Sequence, residues 1–376
     1  MLPDFRLETF FSKWEFSARY NIGGSDAEST AVAELLETAD DDDRRSWEEL
    51  RLGYTETFGA PRLREAIAAT YDSVSPTDVL TFAGAEEGIF AAMQVLLTRQ
   101  DHAIVITPNY QSAETIPMSI CDVSGIALDP DNDWNLDLDR VRDAIRDNTR
   151  MISINFPHNP TGKVISRADF DALVSIAQDH DLYLFSDEVY RLLERKKAMR
   201  LPQMADAYPK GLSLNVMSKA YGLPGLRIGW IACHDQSLLS RMERVKHYLS
   251  ICNSAPSEVL ATIALKAANR IVARNRKIID VNLAKLDEFF GAHTELFEWS
   301  TPDGGCIGYP RYLGADGIEA FASRLVEESG VLLLPASVYR SALGPTPGDR
   351  FRIGYGRRDM PEGLDVMRAF IERKAA

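Results

Sequence analysis

Between residues 59 and 235 short β-branched or apolar runs alternate with amphipathic stretches, and no other feature of the chain limits its possible folds as strongly. The runs at 79–82, 103–107, 151–156, 183–186, 212–217 and 228–233 have the length and residue types of strands. The stretches at 86–97, 138–145 and 168–179 place apolar residues three and four apart, which suits crossover helices on the faces of a sheet. Strand–helix–strand order feeds a mostly parallel sheet. The predicted fold class is therefore α/β, with a large, mostly parallel mixed sheet and helices on both faces.

The rest of the 376-residue chain divides around that core. Residues 51–255 make the expected large domain and residues 256–295 one long linking helix. Residues 296–376 read as a smaller α+β domain, with strand-like runs at 306–309, 331–334 and 351–354 and helices near 318–329 and 361–373. Residues 1–50, with a helix near 7–18 and a turn at Gly23-Gly24, are too few to fold alone and are expected to pack on the small domain or on a partner subunit. The charge run at 40–45 and the pair Lys196-Lys197 both read as solvated loops.

Lys and Arg number 42 against 55 Asp and Glu, a net charge of −13 that repels phosphate backbones and anionic headgroups. Neither nucleic acid nor a membrane is expected as a partner. Asp4, Glu8 and Glu15 stand where a signal peptide would be basic and then apolar, so a cytoplasmic location is expected. The four cysteines form no CxxC pair and the six histidines no HxH or HExxH cluster, so no disulfide framework and no metal site is expected.

The segment from Ser218 to Trp230 carries the most chemistry. Lys219 directly follows an apolar strand, and Arg227 follows a glycine-rich turn, so one sheet edge holds an amine able to form a Schiff base and a cation able to grip a phosphate. Two further segments, 155–162 with Asn159 and 186–190 with Asp187 and Tyr190, also fall at carboxyl ends of strands, where open α/β sheets bind ligands. A buried Asp187 needs a cation, which a protonated pyridine nitrogen supplies, and Asn159 and Tyr190 suit a phenolate oxygen on the same ring. Gly84-Ala85-Glu86 lies between a strand and a helix, so its backbone N–H groups offer an anion site. Tyr110, after another strand, suits stacking on a flat heterocycle.

Together these segments resemble the fold-type-I pyridoxal phosphate (PLP) enzymes, specifically the class I/II aminotransferases related to aspartate aminotransferase, in family order from Gly53-Tyr54 to Phe351-Arg352. The resemblance implies pyridoxal 5'-phosphate as cofactor, with Lys219 forming the internal aldimine, Asp187 pairing with the ring nitrogen, Asn159 and Tyr190 holding the ring oxygen, and Tyr110 stacking on the ring. It also implies that Arg227, Ser218, Gly84 and the backbone of Ala85 and Glu86 hold the phosphate, with Tyr54 reaching it from the neighbouring subunit of a homodimer with shared sites. Arg352 matches the arginine that grips the substrate α-carboxylate, and Gly24 falls where the family has a glycine that closes over substrate. The implied reaction moves an amino group from an L-amino acid to a 2-oxo acid by way of aldimine and ketimine; a C–S lyase, decarboxylase, oxidase or cyclase is the alternative on the same site.

Three positions depart from or refine the pattern. Val216 stands where the family usually has a phosphate-binding hydroxyl, for which Ser213 is a candidate substitute. Pro335-Ala336 replaces a frequent Pro-Gly turn. Trp14-Glu15 resembles a pair in a branch that handles guanidino amino acids, with the glutamate facing the guanidinium; an exposed helix glutamate is the other reading.

Overall fold

The computed structural model describes residues 2–375; the outer ends of the expected N-terminal segment and C-terminal domain, residues 1 and 376, lie outside it. Its centre is a seven-stranded sheet of β1 (Val79–Phe82), β2 (His102–Thr107), β3 (Asp122–Ala127), β4 (Thr149–Asn155), β5 (Tyr183–Asp187), β6 (Gly211–Val216) and β7 (Gly229–Ala232). The spatial order is β1-β7-β6-β5-β4-β2-β3. Strands β2 to β6 pair in parallel, and β7 runs antiparallel between β6 and β1. Every residue of β1, β2, β6 and β7 is buried, as a sheet covered by helices on both faces requires.

All six expected strands are present, and β3 is an addition. Its sequence Asp122-Val123-Ser124-Gly125-Ile126-Ala127 sits at the sheet edge with one buried residue, so it has no apolar run to announce it. Register lines up the functional ends: Asn155 is opposite Asp187, Asp187 opposite Leu214, Val216 opposite Gly229, and Gly229 opposite Phe82. The carboxyl ends of β1, β4, β5 and β6 and the start of β7 thus share one sheet edge.

Four helices matter to the site: α1 (Arg6–Trp14), α2 (Ala85–Leu96), α3 (Ala255–Lys266) and α4 (Ala268–Ala292). The single helix expected over 256–295 is two helices meeting at Ala267, which has left helical geometry at φ −90, ψ 12. Each follows its own partners: α3 packs on the helices Val32–Leu36, Asp41–Glu48 and Pro61–Ala68, and α4 on the C-terminal helix Met360–Ala375. The charge run at 40–45 is not a solvated loop. Asp40 caps the helix Asp41–Glu48 by accepting from the Asp43 N–H at 2.8 Å, and acidic residues favour a helix start. Asp43 itself is buried against Lys266 and Arg62, each at 2.9 Å.

The N-terminal segment lies along the C-terminal elements. Tyr20–Asn21 pairs in parallel with Val331–Leu332, and the Gly354 N–H donates to Ile22 O at 2.7 Å. A three-stranded antiparallel sheet of Ile307–Gly308, Phe351–Gly354 and Leu334–Pro335 stands beside it. Helix α1 is shorter than expected and ends at Trp14, which leaves Glu15 as its C-cap.

Candidate active site

A cavity of about 410 Å³ opens at the shared sheet edge, walled by strand ends, the start of α2, one face of α1 and the segment after Gly24. Lys219 is on its wall, two residues past the Met217 N–H that still bonds Ile228 O at 2.9 Å. Its Nζ donates to Ser25 Oγ at 2.7 Å, and burial pushes the amine below the ordinary lysine range, with Asp26 opposing. Asp187, the last residue of β5, accepts the Val189 N–H at 3.2 Å, and burial lifts its carboxyl to about 6.

The loop after β4 is folded by its own polar side chains. Asn155 donates to Asp187 O at 2.9 Å and accepts the Asn159 N–H at 2.8 Å, which ties the loop to the end of β5. His158 donates from Nε2 to Pro108 O at 2.8 Å and accepts the Thr161 hydroxyl at Nδ1, also 2.8 Å. Burial lowers its pKa to about 4, so the ring stays neutral and keeps that tautomer. His158 thereby fastens the loop bearing Asn159 to the turn bearing Tyr110. The sequence displays this histidine, but nothing in it identifies the partner 50 positions upstream.

At the start of α2 the free N–H groups of Ala85 and Glu86 meet Arg227. Gly84 has φ +93, and a Cβ there would lie 2.5 Å from Arg227 Nη2, so the backbone and the guanidinium form one close cradle. Arg227 is itself left-handed at φ 53 and donates from Nη1 to Pro224 O at 3.1 Å. Ser218 and Val216 join the wall. Ser213 does not replace the hydroxyl missing at Val216: it bonds Glu188 Oε1 at 3.0 Å and the Ala205 N–H at 2.9 Å. Three positions along a strand put the two side chains on opposite faces.

Tyr110, Asn159 and Tyr190 also line the cavity. The Tyr110 hydroxyl donates to Glu8 Oε1 at 3.2 Å and that of Tyr190 to Ser25 O at 3.2 Å. Asn159 Oδ1 accepts the Tyr339 hydroxyl at 3.0 Å. Arg352 is buried one bond behind the wall: Nη1 donates to the Tyr339 hydroxyl at 2.6 Å and Nη2 to Gly23 O at 2.8 Å. Gly24 and Glu15 stand at the wall beside the Asp26–Arg357 ion pair at 2.9 Å. Glu15 is half-buried rather than an exposed helix glutamate; burial raises its pKa while Arg357 opposes. Tyr54 is 91% exposed and outside its own chain's cavity. Unanticipated are Ser25, Asp26 and Arg357 and the α1 face of Leu7, Glu8 and Phe11, whose spacing marks a helix face but not what it covers.

The residues fit pyridoxal phosphate. A cradle only glycine admits suits its phosphate, a buried carboxyl with a single backbone donor awaits a cation, and a buried amine shares their cavity.

The profile of the aminotransferase class I and II family matches residues 24–364. A PLP-dependent aminotransferase from Streptococcus suis 89-1591 superposes with a TM-score of 0.92 at 30% identity, covering 99% of this chain and 98% of that one. Capreomycidine synthase of Streptomyces vinaceus is 28% identical over 373 residues, 96% of this chain and 92% of that protein. Arginine–pyruvate transaminase AruH of Pseudomonas aeruginosa is 30% identical over 324 residues, 80% of this chain and 77% of that protein.

Proposed function

Since the chain belongs to the class I and II aminotransferases, whose cofactor is pyridoxal phosphate, we propose that it moves the amino group of an L-amino acid to a 2-oxo acid and that Lys219 is the amine that performs the proton transfers. One observation carries the reading: the Lys219 amine, the Asp187 carboxyl and the Gly84–Arg227 cradle share a single cavity. Pyridoxal phosphate supplies an aldehyde that condenses with amines and a ring that accepts electrons from the substrate's Cα.

The chain supplies binding, orientation and proton transfer. Arg227, Ser218 and the N–H groups of Ala85 and Glu86 hold the phosphate, and Tyr110 packs on the ring face. Asp187 keeps a proton on the ring nitrogen, and Asn159 and Tyr190 donate to the ring oxygen. Lys219 Nζ would take the substrate's Cα proton, a task suited to an amine that burial holds below the ordinary lysine range. Arg352 exchanges Gly23 O for the substrate α-carboxylate, because a charge-assisted bidentate pair outweighs bonds to a neutral carbonyl. Gly24 lies over the bound substrate, and Tyr54 completes the phosphate site of a second copy in a homodimer.

Glu15, at the cavity wall, supports an arginine-like donor, as does the similarity to a protein named arginine–pyruvate transaminase. The similarity to a protein named capreomycidine synthase favours a second reading, another pyridoxal phosphate reaction such as cyclisation, lysis, decarboxylation or oxidation on the same residues.

Borohydride reduction followed by peptide mapping should place the pyridoxyl group on Lys219; another lysine there would end the assignment. An amino-acid panel followed by cofactor absorbance, with and without 2-oxo acids and oxygen, separates the two reactions. Turnover that needs no oxo acid would replace transamination with the second reading.

A further inference from the structure

Glu86 lines the active cavity, and its carboxyl has no cation beside it among the described residues. Its backbone N–H serves the phosphate cradle, while its side chain accepts the Ser112 hydroxyl at 3.0 Å. No ion pair to it occurs among the described residues, and the charges acting on it, Glu8 and Asp187, are both negative. Burial, reinforced by these neighbours, raises its pKa to about 7. The other acids at the wall are provided for: Asp26 by Arg357, Glu15 by Arg357 and Lys219, and Glu8 by its exposure to solvent, while Asp187 would face the ring nitrogen. A phosphate in the cradle adds negative charge close by.

Burying an uncompensated carboxyl is costly, and a glutamine would accept the same Ser112 bond without that cost. The surroundings add a flat apolar face, since Phe11 lines the same cavity. A carboxyl in such a cavity with no counter-ion among the described residues suits a cation brought by the ligand.

We propose that Glu86 is the specificity-determining residue for the donor's side chain, its carboxylate pairing with a guanidinium or ammonium group at the end of an L-amino acid. This rests on the reading that Lys219 receives the donor's α-amine. Glu86 then outranks Glu15 as the determinant, because Glu15 already has Arg357 beside it.

The test is calorimetric binding of 5-guanidinopentanoate, which is arginine without its α-amine and cannot react, against octanoate of matching length, on the holoenzyme. Wild type should prefer the guanidino acid, Glu86→Gln should cut that preference about ten-fold or more, and Glu86→Asp should keep part of it. The ratio of kcat/KM for arginine over norleucine should fall in parallel. No preference in wild type, or equal weakening of both ligands in Glu86→Gln, overturns the proposal, and the wild-type comparison stands even if a variant does not fold. Selective binding with no donor altering cofactor absorbance would instead sink the Lys219 reading and leave Glu86 standing.

Discussion

Asp187 shows how one burial sets both chemistry and stability. An ordinary aspartate titrates at 3.8, and burial lifts this one to about 6. Between those values the native chain keeps a proton that the unfolded chain has lost, so stability falls as pH rises through that window, by about 3 kcal/mol for about two units. A ring-nitrogen cation beside the carboxylate, as proposed, would remove the penalty. Urea unfolding of apoprotein should therefore lose about 2 kcal/mol more than holoprotein between pH 4 and 7. Glu188 and Glu258, also raised to about 7 by burial, lie outside the cavity and cancel between the forms, and Glu86, raised to about 7 inside it, is taken out of the comparison by measuring both forms in a Glu86→Gln background. Identical pH slopes in the two forms would show that nothing charged meets Asp187. Asp187→Asn should erase the difference, keep the cofactor bound, and slow turnover by orders of magnitude.

At the scale of elements, the site depends on loops that are held to one another as well as to the strand ends. His158 joins the loops after β2 and β4, and Tyr339, on the turn Ala336–Tyr339, joins Asn159 to Arg352. His158→Phe keeps the volume but strands the Pro108 carbonyl and the Thr161 hydroxyl, at about 1–3 kcal/mol each. The expected result is a lower urea midpoint together with a kcat/KM loss larger than Thr161→Val produces, since that variant removes the hydroxyl's bonds to His158 and to the Lys163 N–H but leaves the imidazole on Pro108 O. Equal, small effects in both would mean that the loops hold without the imidazole. Because its pKa lies near 4, the histidine should add no pH dependence above pH 5. The motif around Asn159 is legible in sequence because its residues are contiguous; the turn carrying Tyr339 is not, because it meets Asn159 from 180 positions away.

For the whole molecule, the surface around Tyr54 is where the proposed homodimer can be tested. Leu52, Tyr54, Tyr248 and Ile251 are exposed hydrophobic side chains. Their two segments are tied together: Thr55 donates to Asn253 O at 3.0 Å, and buried Lys246 donates to Thr57 O and Asn253 Oδ1, each at 2.6 Å. Exposed apolar side chains on two segments tied in this way are where the proposed second copy would dock. If Tyr54 completes the partner's phosphate site, Lys219→Ala mixed with Tyr54→Phe should form some hybrid dimers with both lesions in one site and the other intact. Activity above that of either parent, after demonstrated subunit exchange, is the expected result. No gain would refute the shared site.

Read by itself, the sequence determines the strands β1, β2 and β4 to β7, the α/β class and the residues at their ends, because period-two and period-3.6 patterns and glycine-rich turns are local. It could not reveal β3, whose edge position frees it from needing an apolar run, or the break at Ala267, where two helices follow different neighbours. Nor could it show that Asp43 is buried between Lys266 and Arg62, that Ser213 faces away from the cavity, or that Arg352 waits behind Tyr339. Those facts depend on contacts between segments far apart in the chain. Only the packed fold places α1 and the start of α2 across one cavity and leaves Glu86 there with no cation among the described residues, because burial and counter-charge are properties of a three-dimensional neighbourhood.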